Sequence, residues 1–384
     1  MKKNVFRVAV AALLVCAAGT ARAVPTDGGE WTIGAGETET LAAEATVLRL
    51  AVDGTLTLDA GAALTATGAV VNCISTGDGM VASMTIVSGA SFTSRGTLTG
   101  DTAGNTQGFS IGTYGGTGMV TVASSASLTV TGGRLFLGRN KLTGTEDRTK
   151  LSHGILNIFG TVTAAAVECS AWFPSRASGT TYDLDTLPVA SIINLEEGGV
   201  LETGLIQNND TCRNIINFKG GTLRIPRSPN PLLYTSVSTV WNIESGKSLI
   251  FDTQSFNATL NPSLHQADSF KLTGAGGLVK RGSGLLDIRL AHPEMNTFTG
   301  PIVVEGGSLR LGRPLAEGQT VLVKSGATFY PVCFDDLTKI TYEDPADMPN
   351  GAVFHVEGTY TNGLDLITLS PVYCSDKLGG PSGS

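Results

Sequence analysis

The chain has 384 residues, of which 41% are hydrophobic and 15% charged, and a formal net charge of −7. An acidic balance without a basic cluster excludes nucleic acid, anionic glycan and anionic lipid as main partners. Forty-nine glycines among regular apolar strands mark a turn-rich all-β chain and exclude a disordered one.

The first element is a targeting segment. Lys2, Lys3 and Arg7 form a positive region, Val8 to Ala18 an apolar core, and Ala21-Arg22-Ala23 a small-x-small cleavage site. This pattern predicts a Sec-type signal peptide over 1–23, with the mature chain starting near Val24 and exported to the cell surface, the medium or the periplasm. A lipoprotein signal would use Cys16, but Val15 stands where Gly or Ala is required. The apolar core is too short to span a bilayer and no other run reaches about 18 apolar residues, so no integral membrane segment is expected after cleavage. Cleavage removes four basic and no acidic residues, which takes the formal charge to −11.

Residues 24–50 lie outside the downstream repeat and are expected to cap its first edge. From 51 to 331 one unit recurs: an apolar strand, a Gly-small pair, a second apolar strand. It reads LTLDAGAAL (56–64), MTIVSGASF (84–92), VTVASSASL (120–128), INLEEGGVL (193–201), INFKGGTL (216–223), WNIESGKSL (241–249), IVVEGGSL (302–309) and VLVKSGATF (321–329). A period of roughly 20 to 40 residues signals stacked supersecondary units. Helix fails, because Gly and β-branched residues punctuate every segment and no window keeps a 3.6-residue period. An antiparallel sandwich shares the short strands, but the recurring unit favours a solenoid, since each coil must lay equivalent residues on its neighbour. The expected fold is all-β: a right-handed parallel β-helix of about ten irregular coils with caps at both ends. At ~4.8 Å per coil the rod is on the order of 50 Å long.

Asn157, Asn194, Asn217 and Asn242 each sit between two apolar residues at the same place in the unit. In a parallel stack they would lie above one another and could form a hydrogen-bonded ladder. The plainer alternative is four solvent-facing residues on half-buried strands.

The loop SGTTYDLDTLP interrupts the repeat and places Asp183 and Asp185 near Trp172 and Tyr182. Glycoside hydrolysis needs two carboxylates converging across a groove, and aromatics beside them could stack on sugar, so these four are the candidate glycan contacts. Ordinary turn acids on a solvated loop are the alternative. Asp335-Asp336 would point to opposite faces if extended. Arg224-Ile-Pro226-Arg227 approaches the Arg-x-Pro-x-x-Arg of pectate lyases but brings the second Arg two positions early. His153, His265, His292 and His355 have no metal-ligand spacing, and phosphate loops, dinucleotide fingerprints and serine elbows are missing. No metal, cofactor or catalytic residue is therefore expected.

The most specific window is GGLVKRGSGLLDIRLAHPEMNTFTGPIVVEGGSLRLG, residues 276–312. Lys280, Gly282-x-Gly284, Asn296-x-Phe298-x-Gly300 and Gly306-Gly307-x-Leu309 in that order resemble the autotransporter-associated β-strand repeat, also called the passenger-associated transport repeat. The resemblance covers about a tenth of the chain. It implies a parallel β-helix displayed outside the cell, and it names an architecture better than an activity. The chain departs from the autotransporter pattern because the stretch after the repeats is too short for a translocator barrel. It is expected to be either a piece of a longer protein or an exported passenger-like rod without a barrel.

Residues 332–384, with the strand-like Leu364 to Leu369, read as a C-terminal cap and flexible tail. The mature chain keeps Cys73, Cys169, Cys212, Cys333 and Cys374. Cys333–Cys374 and Cys169–Cys212 are candidate disulfides. The competing reading is that most of the five are small buried hydrophobes on the rungs. Two functions remain open. The first is a non-catalytic surface or secreted rod, adhesin-like or structural, whose partners are cell-surface or matrix glycans or proteins. The second is a glycan-binding or glycan-cleaving β-helix that uses the 170–187 loop.

Overall fold

The computed structural model describes residues 24, 28–68, 72–95, 108–139, 150–169, 187–208, 212–226, 239–260, 270–288, 296–311, 315–331, 340–342, 358–361 and 366–369. These form a parallel β-helix. Strands fall into sheets of seven, nine, twelve and four members, all parallel within each sheet, and one antiparallel pair. Among the described residues there is no helix long and apolar enough to cross a membrane.

The coil arises from the alternation in the sequence. In Thr55–Leu58 the leucines are fully buried while both threonines face out, and the next strand, Ala63–Ala66, repeats the pattern. Between the two the chain turns sharply. The Ala62 amide donates to the Asp59 carbonyl at 2.9 Å, and Gly61 takes a φ of +80° at the third turn position. The Gly-small pairs place Gly89, Gly198, Gly246 and Gly326 in the same left-handed conformation. Only an L residue willing to bear about 1–2 kcal/mol can replace glycine there, and Ser125 does so in VTVASSASL at φ +59°. At Gly61, Gly89, Gly198 and Gly246 this recurring corner joins the nine-stranded sheet to the twelve-stranded one, and at Gly326 it joins the twelve-stranded sheet to the four-stranded one.

Inward residues of successive coils stack into one continuous core. Near its middle Phe218, Trp241 and Phe270 pile up with ring centroids 5.1 and 5.6 Å apart. Such offset, tilted contacts add to burial for aromatic side chains.

The boundaries differ from those expected. Residues 24–50 are not a separate cap: Glu30–Ile33, Thr38–Leu41 and Glu44–Val47 pair in parallel with the strands of the next coil. Trp31, Ile33, Leu41 and Val47 are core residues, and Gly34-Ala35-Gly36 turns the chain between the first two strands, with Gly36 at φ +78°. At the other end Ile340–Tyr342 adds to Val321–Val323, carrying the stack past residue 331. The twelve-stranded sheet runs in this way from Glu44–Val47 to Ile340–Tyr342. Within 332–384 the parallel order is broken by Gly358–Thr361 pairing antiparallel with Leu366–Leu369.

Cys169 and Cys212 are not joined. Cys169 ends the strand Val167–Cys169 and packs in the main core, whereas Cys212 packs with Ala190 and Leu151 in a separate small cluster. Both are small buried residues on neighbouring coils, which is the alternative the spacing left open. Cys333 and Cys374 lie outside the described residues.

Candidate functional site

Trp172, Tyr182, Asp183 and Asp185, the candidate glycan contacts, lie outside the described residues, as do Asp335, Asp336 and Arg227. The described functional features are columns of like side chains that run along the rod.

The first column stands on the outer face of the nine-stranded sheet. Asn157, Asn194, Asn217 and Asn242 are in direct register. Each asparagine donates Nδ2 to Oδ1 of the one before: Asn194 to Asn157 at 2.8 Å, Asn217 to Asn194 at 2.9 Å, Asn242 to Asn217 at 3.2 Å. The ladder is anchored by Asn157 donating to Thr121 Oγ1 at 3.2 Å. Threonine carries the column beyond the amides, through Thr40, Thr57, Thr85 and Thr121 on one side and Thr273 on the other. An amide has both a donor and an acceptor, so a stack of identical amides satisfies itself coil after coil.

The second column lies on the outer face of the twelve-stranded sheet. Thr46, Thr65, Thr93, Thr129 and Thr163 come first, in register. Glu202, Arg224, Asp252 and Arg281 continue it with strictly alternating charge. Arg224 sits 3.8 Å from Glu202 and 3.2 Å from Asp252. Arg281 bonds Glu305 at 2.6 Å, and Lys324 reaches Glu305 at 3.9 Å. Each pair is half-exposed, where a salt bridge contributes about 0–1 kcal/mol. The alternation matters more for what it prevents, namely a run of like charges stacked ~4.8 Å apart.

The seven-stranded sheet is different, because its middle strands are buried on both faces, as along Gly108–Thr113. Cys73, Ser110, Phe136 and Glu168 occupy successive register positions opposite the core-facing residues, yet all are buried. Glu168 pairs with Arg134. The Arg139 guanidinium lies 4.4 Å over the Phe136 ring and donates to Ser110 Oγ at 3.4 Å. Burial pushes the Cys73 thiol up to about 11 against the opposing pull of the Arg139 and Arg49 charges, and the Cys169 thiol up to about 12. Burial also lowers Arg139, to about 10, which leaves it charged at neutral pH. A thiol held this high is protonated and a poor nucleophile. Arginine–carboxylate and cation–π contacts use the two guanidinium groups for cohesion. Among the described residues no three His, Cys, Asp or Glu side chains converge as metal ligands.

The 276–312 window acquires a physical meaning in the coil. Lys280 is turned inward, in register between Phe251 and Val304, and is fully buried. Its ammonium donates to the carbonyls of Arg281 and Gly282 at 2.8 Å each and of Gly306 at 3.1 Å. Burial lowers its pKa to about 8, with the Asp252 charge opposing. Gly284 packs so tightly that a Cβ there would run into the Phe256 carbonyl. Asn296 stacks on Leu272 on the inward side, buried, with no partner for either amide atom among the described residues. Phe298 beside it is fully buried.

Sequence reasoning named the four asparagines but missed the alternating ion column and the lysine cage. The ion column could have been found by aligning the residue next to each second-strand apolar residue. The lysine could not, because a charged residue in a Gly-rich stretch reads as solvent-facing. A search for relatives matches no family model, no curated protein and no solved structure.

Proposed function

We propose that this chain is an exported, non-catalytic β-helical rod, adhesin-like or structural. The observation that carries this reading is that the outward polar side chains of two sheets bond to their own neighbours along the stack. A groove enzyme would instead aim carboxylates and bases at a common point. On this reading the amide, hydroxyl and ion columns provide cohesion outside the cell. The N-terminal 23 residues direct export, and 276–312 is a passenger-type repeat whose lysine and glycines close one coil on the next. The rod's partners are then cell-surface or matrix glycans or proteins, met through its length.

Cell fractionation with an antibody to the chain, together with a glycan-array screen of the purified protein, tests this. The expected result is protein outside the cytoplasm, shortened at residue 23, with no turnover of any polysaccharide. Retention of full-length protein in the cytoplasm, or cleavage of one polysaccharide, overturns it.

A further inference from the structure

Between Val200–Thr203 and Val321–Val323 the outer face of the twelve-stranded sheet carries two columns in register. The first is aliphatic apart from Thr222: Val200, Thr222, Ile250, Val279, Val303 and Leu322, all partly exposed. The second lies two residues further along each strand and is the ion column, Glu202, Arg224, Asp252 and Arg281. Glu305 and Lys324, which follow the paired Val304 and Val323, extend it. The sign alternates without a break from Glu202 to Lys324, and the column sums to zero. The outward residues beside the two columns, Ser248, Gly277, Pro301 and Thr320 on one side and Gln254 and Ser283 on the other, are uncharged.

We propose that two copies of this chain pair face to face through this half of the sheet, with the rods antiparallel. The alternation selects the arrangement. A two-fold axis lying in the face along the strand direction keeps each column against its own counterpart and reverses its order. Were that axis to run through a strand, charges an even number of coils apart would meet, and those are alike. Placed between Ser248–Asp252 and Gly277–Arg281, it brings together charges an odd number of coils apart, and those are opposite. Asp252 then meets Arg281, Arg224 meets Glu305 and Glu202 meets Lys324 of the second copy. The same axis sets Ile250 on Val279, Thr222 on Val303 and Val200 on Leu322. An axis along the rod would instead lay the ions against uncharged residues or against themselves. A partner of uniform charge gains nothing from a column that sums to zero, whereas a second copy turned end for end matches it at every position. At the rim the turn residues Glu197 and Glu317 face each other, and Lys247 already neutralises Glu197 at 2.7 Å. Such an interface is isologous and closed, yielding a dimer and no filament.

The area sets the strength. The face spans six strands and is five residues across at its centre, in Ser248–Asp252 and Gly277–Arg281. At ~4.8 Å between strands and ~3.4 Å per residue it covers roughly 29 by 17 Å, about 490 Å² per copy and about 1,000 Å² in all. That is the low end of specific interfaces, where association is weak and reversible. Sheets packed face to face keep their strands within about 30° of each other, so the columns stay opposed near the axis.

The test is sedimentation equilibrium of the full chain from Val24 onward at about 1 to 100 μM, the range in which an interface of this size associates. Wild type is expected to rise from monomer toward dimer across it. Arg224→Glu sets like charges against Glu305 at both symmetry-related contacts, and Glu305→Arg does the same against Arg224. Each variant alone should self-associate at least about tenfold more weakly. Mixed in equal amounts the two should recover the dimer, because every contact in the mixed pair is again opposite in sign. Asp252→Lys and Arg281→Glu form a second such set, which replaces the first if circular dichroism shows either of its members unfolded. A wild type that stays monomeric at the highest concentration, single variants that dimerise as wild type does, or folded variants whose mixture stays monomeric overturns the proposal. None of these outcomes bears on export or on the lack of catalysis, so the pairing and the rod reading fail separately.

Discussion

Asn194 is the place to test whether the amide column binds the coils together. In Asn194→Asp the shape is kept, but the Nδ2 that donates to Asn157 Oδ1 at 2.8 Å is replaced by an acceptor. The bond from Asn217 at 2.9 Å survives, because the new carboxylate still accepts. One lost hydrogen bond costs about 0.5–1.5 kcal/mol, and two half-buried acceptors left facing each other add about 1–3 kcal/mol. A loss of about 2–4 kcal/mol is therefore expected at pH 7. The pH dependence gives the sharper signature. A carboxyl that is worse off ionised has its folded pKa raised above the unfolded value of about 3.9. The folded chain then binds more protons through that interval, so the stability present below pH 3.9 is lost as pH rises through the folded pKa. At pH 3 the protonated Asp can again donate to Asn157, and the deficit should shrink to about 1 kcal/mol. Urea unfolding of variant and wild type, followed by circular dichroism at pH 3 and pH 7, measures both differences. A deficit below about 0.5 kcal/mol at pH 7, or one equal at the two pH values, would refute the ladder as a source of cohesion.

For Lys280, whose pKa is lowered to about 8, the folded chain binds fewer protons than the unfolded one between about 8 and 10.5, so stability should rise with pH across that window. Lys280→Met removes that linkage and leaves the Gly282 and Gly306 carbonyls without their lysine donor, at about 1–3 kcal/mol each before the relief of a buried charge. Denaturant midpoints at pH 7.5 and 9.5 should show wild type gaining on the variant. Gly284→Ala drives a methyl into the Phe256 carbonyl and should cost more than about 3 kcal/mol, read as loss of the cooperative melt. Arg224→Glu sets three acidic side chains in succession from Glu202 to Asp252, and the loss of about 1 kcal/mol at low salt should fade in 0.5 M NaCl as screening shortens to a few ångströms. Cys73, Cys169 and Cys212 are buried thiols, so a chromogenic disulfide reagent should modify them only as fast as the chain unfolds. Rapid labelling of the native protein at any of the three would contradict their burial.

Much of the fold was legible because stacking copies one local rule many times. Alternation as in Leu56 and Leu58, with a Gly61-type turn behind it, specifies a strand–turn–strand corner in nine residues. Repetition of that corner then dictates a parallel stack. The first coil escaped although Glu30–Val47 carries regular alternation and a Gly34-Ala35-Gly36 turn with Gly36 at φ +78°. The ion column on the twelve-stranded sheet escaped too. Glu202, Arg224, Asp252 and Arg281 are separated by loops of unequal length, so their spacing in the chain is irregular while their register in space is not.

The coil, the direction in which coils stack and the equivalence of the four asparagines could all be read from the residues without coordinates. Each of these depends on neighbours a few residues apart or on an exact match between repeats. Which side chains meet is a matter of the folded stack. Lys280 lies inside because three carbonyls converge on its ammonium from two coils, 1, 2 and 26 residues away. Glu168 is buried because Arg134, 34 residues away, pairs with it. Periodicity is a local property of the chain, whereas neutralising a buried charge depends on partners the sequence does not bring near.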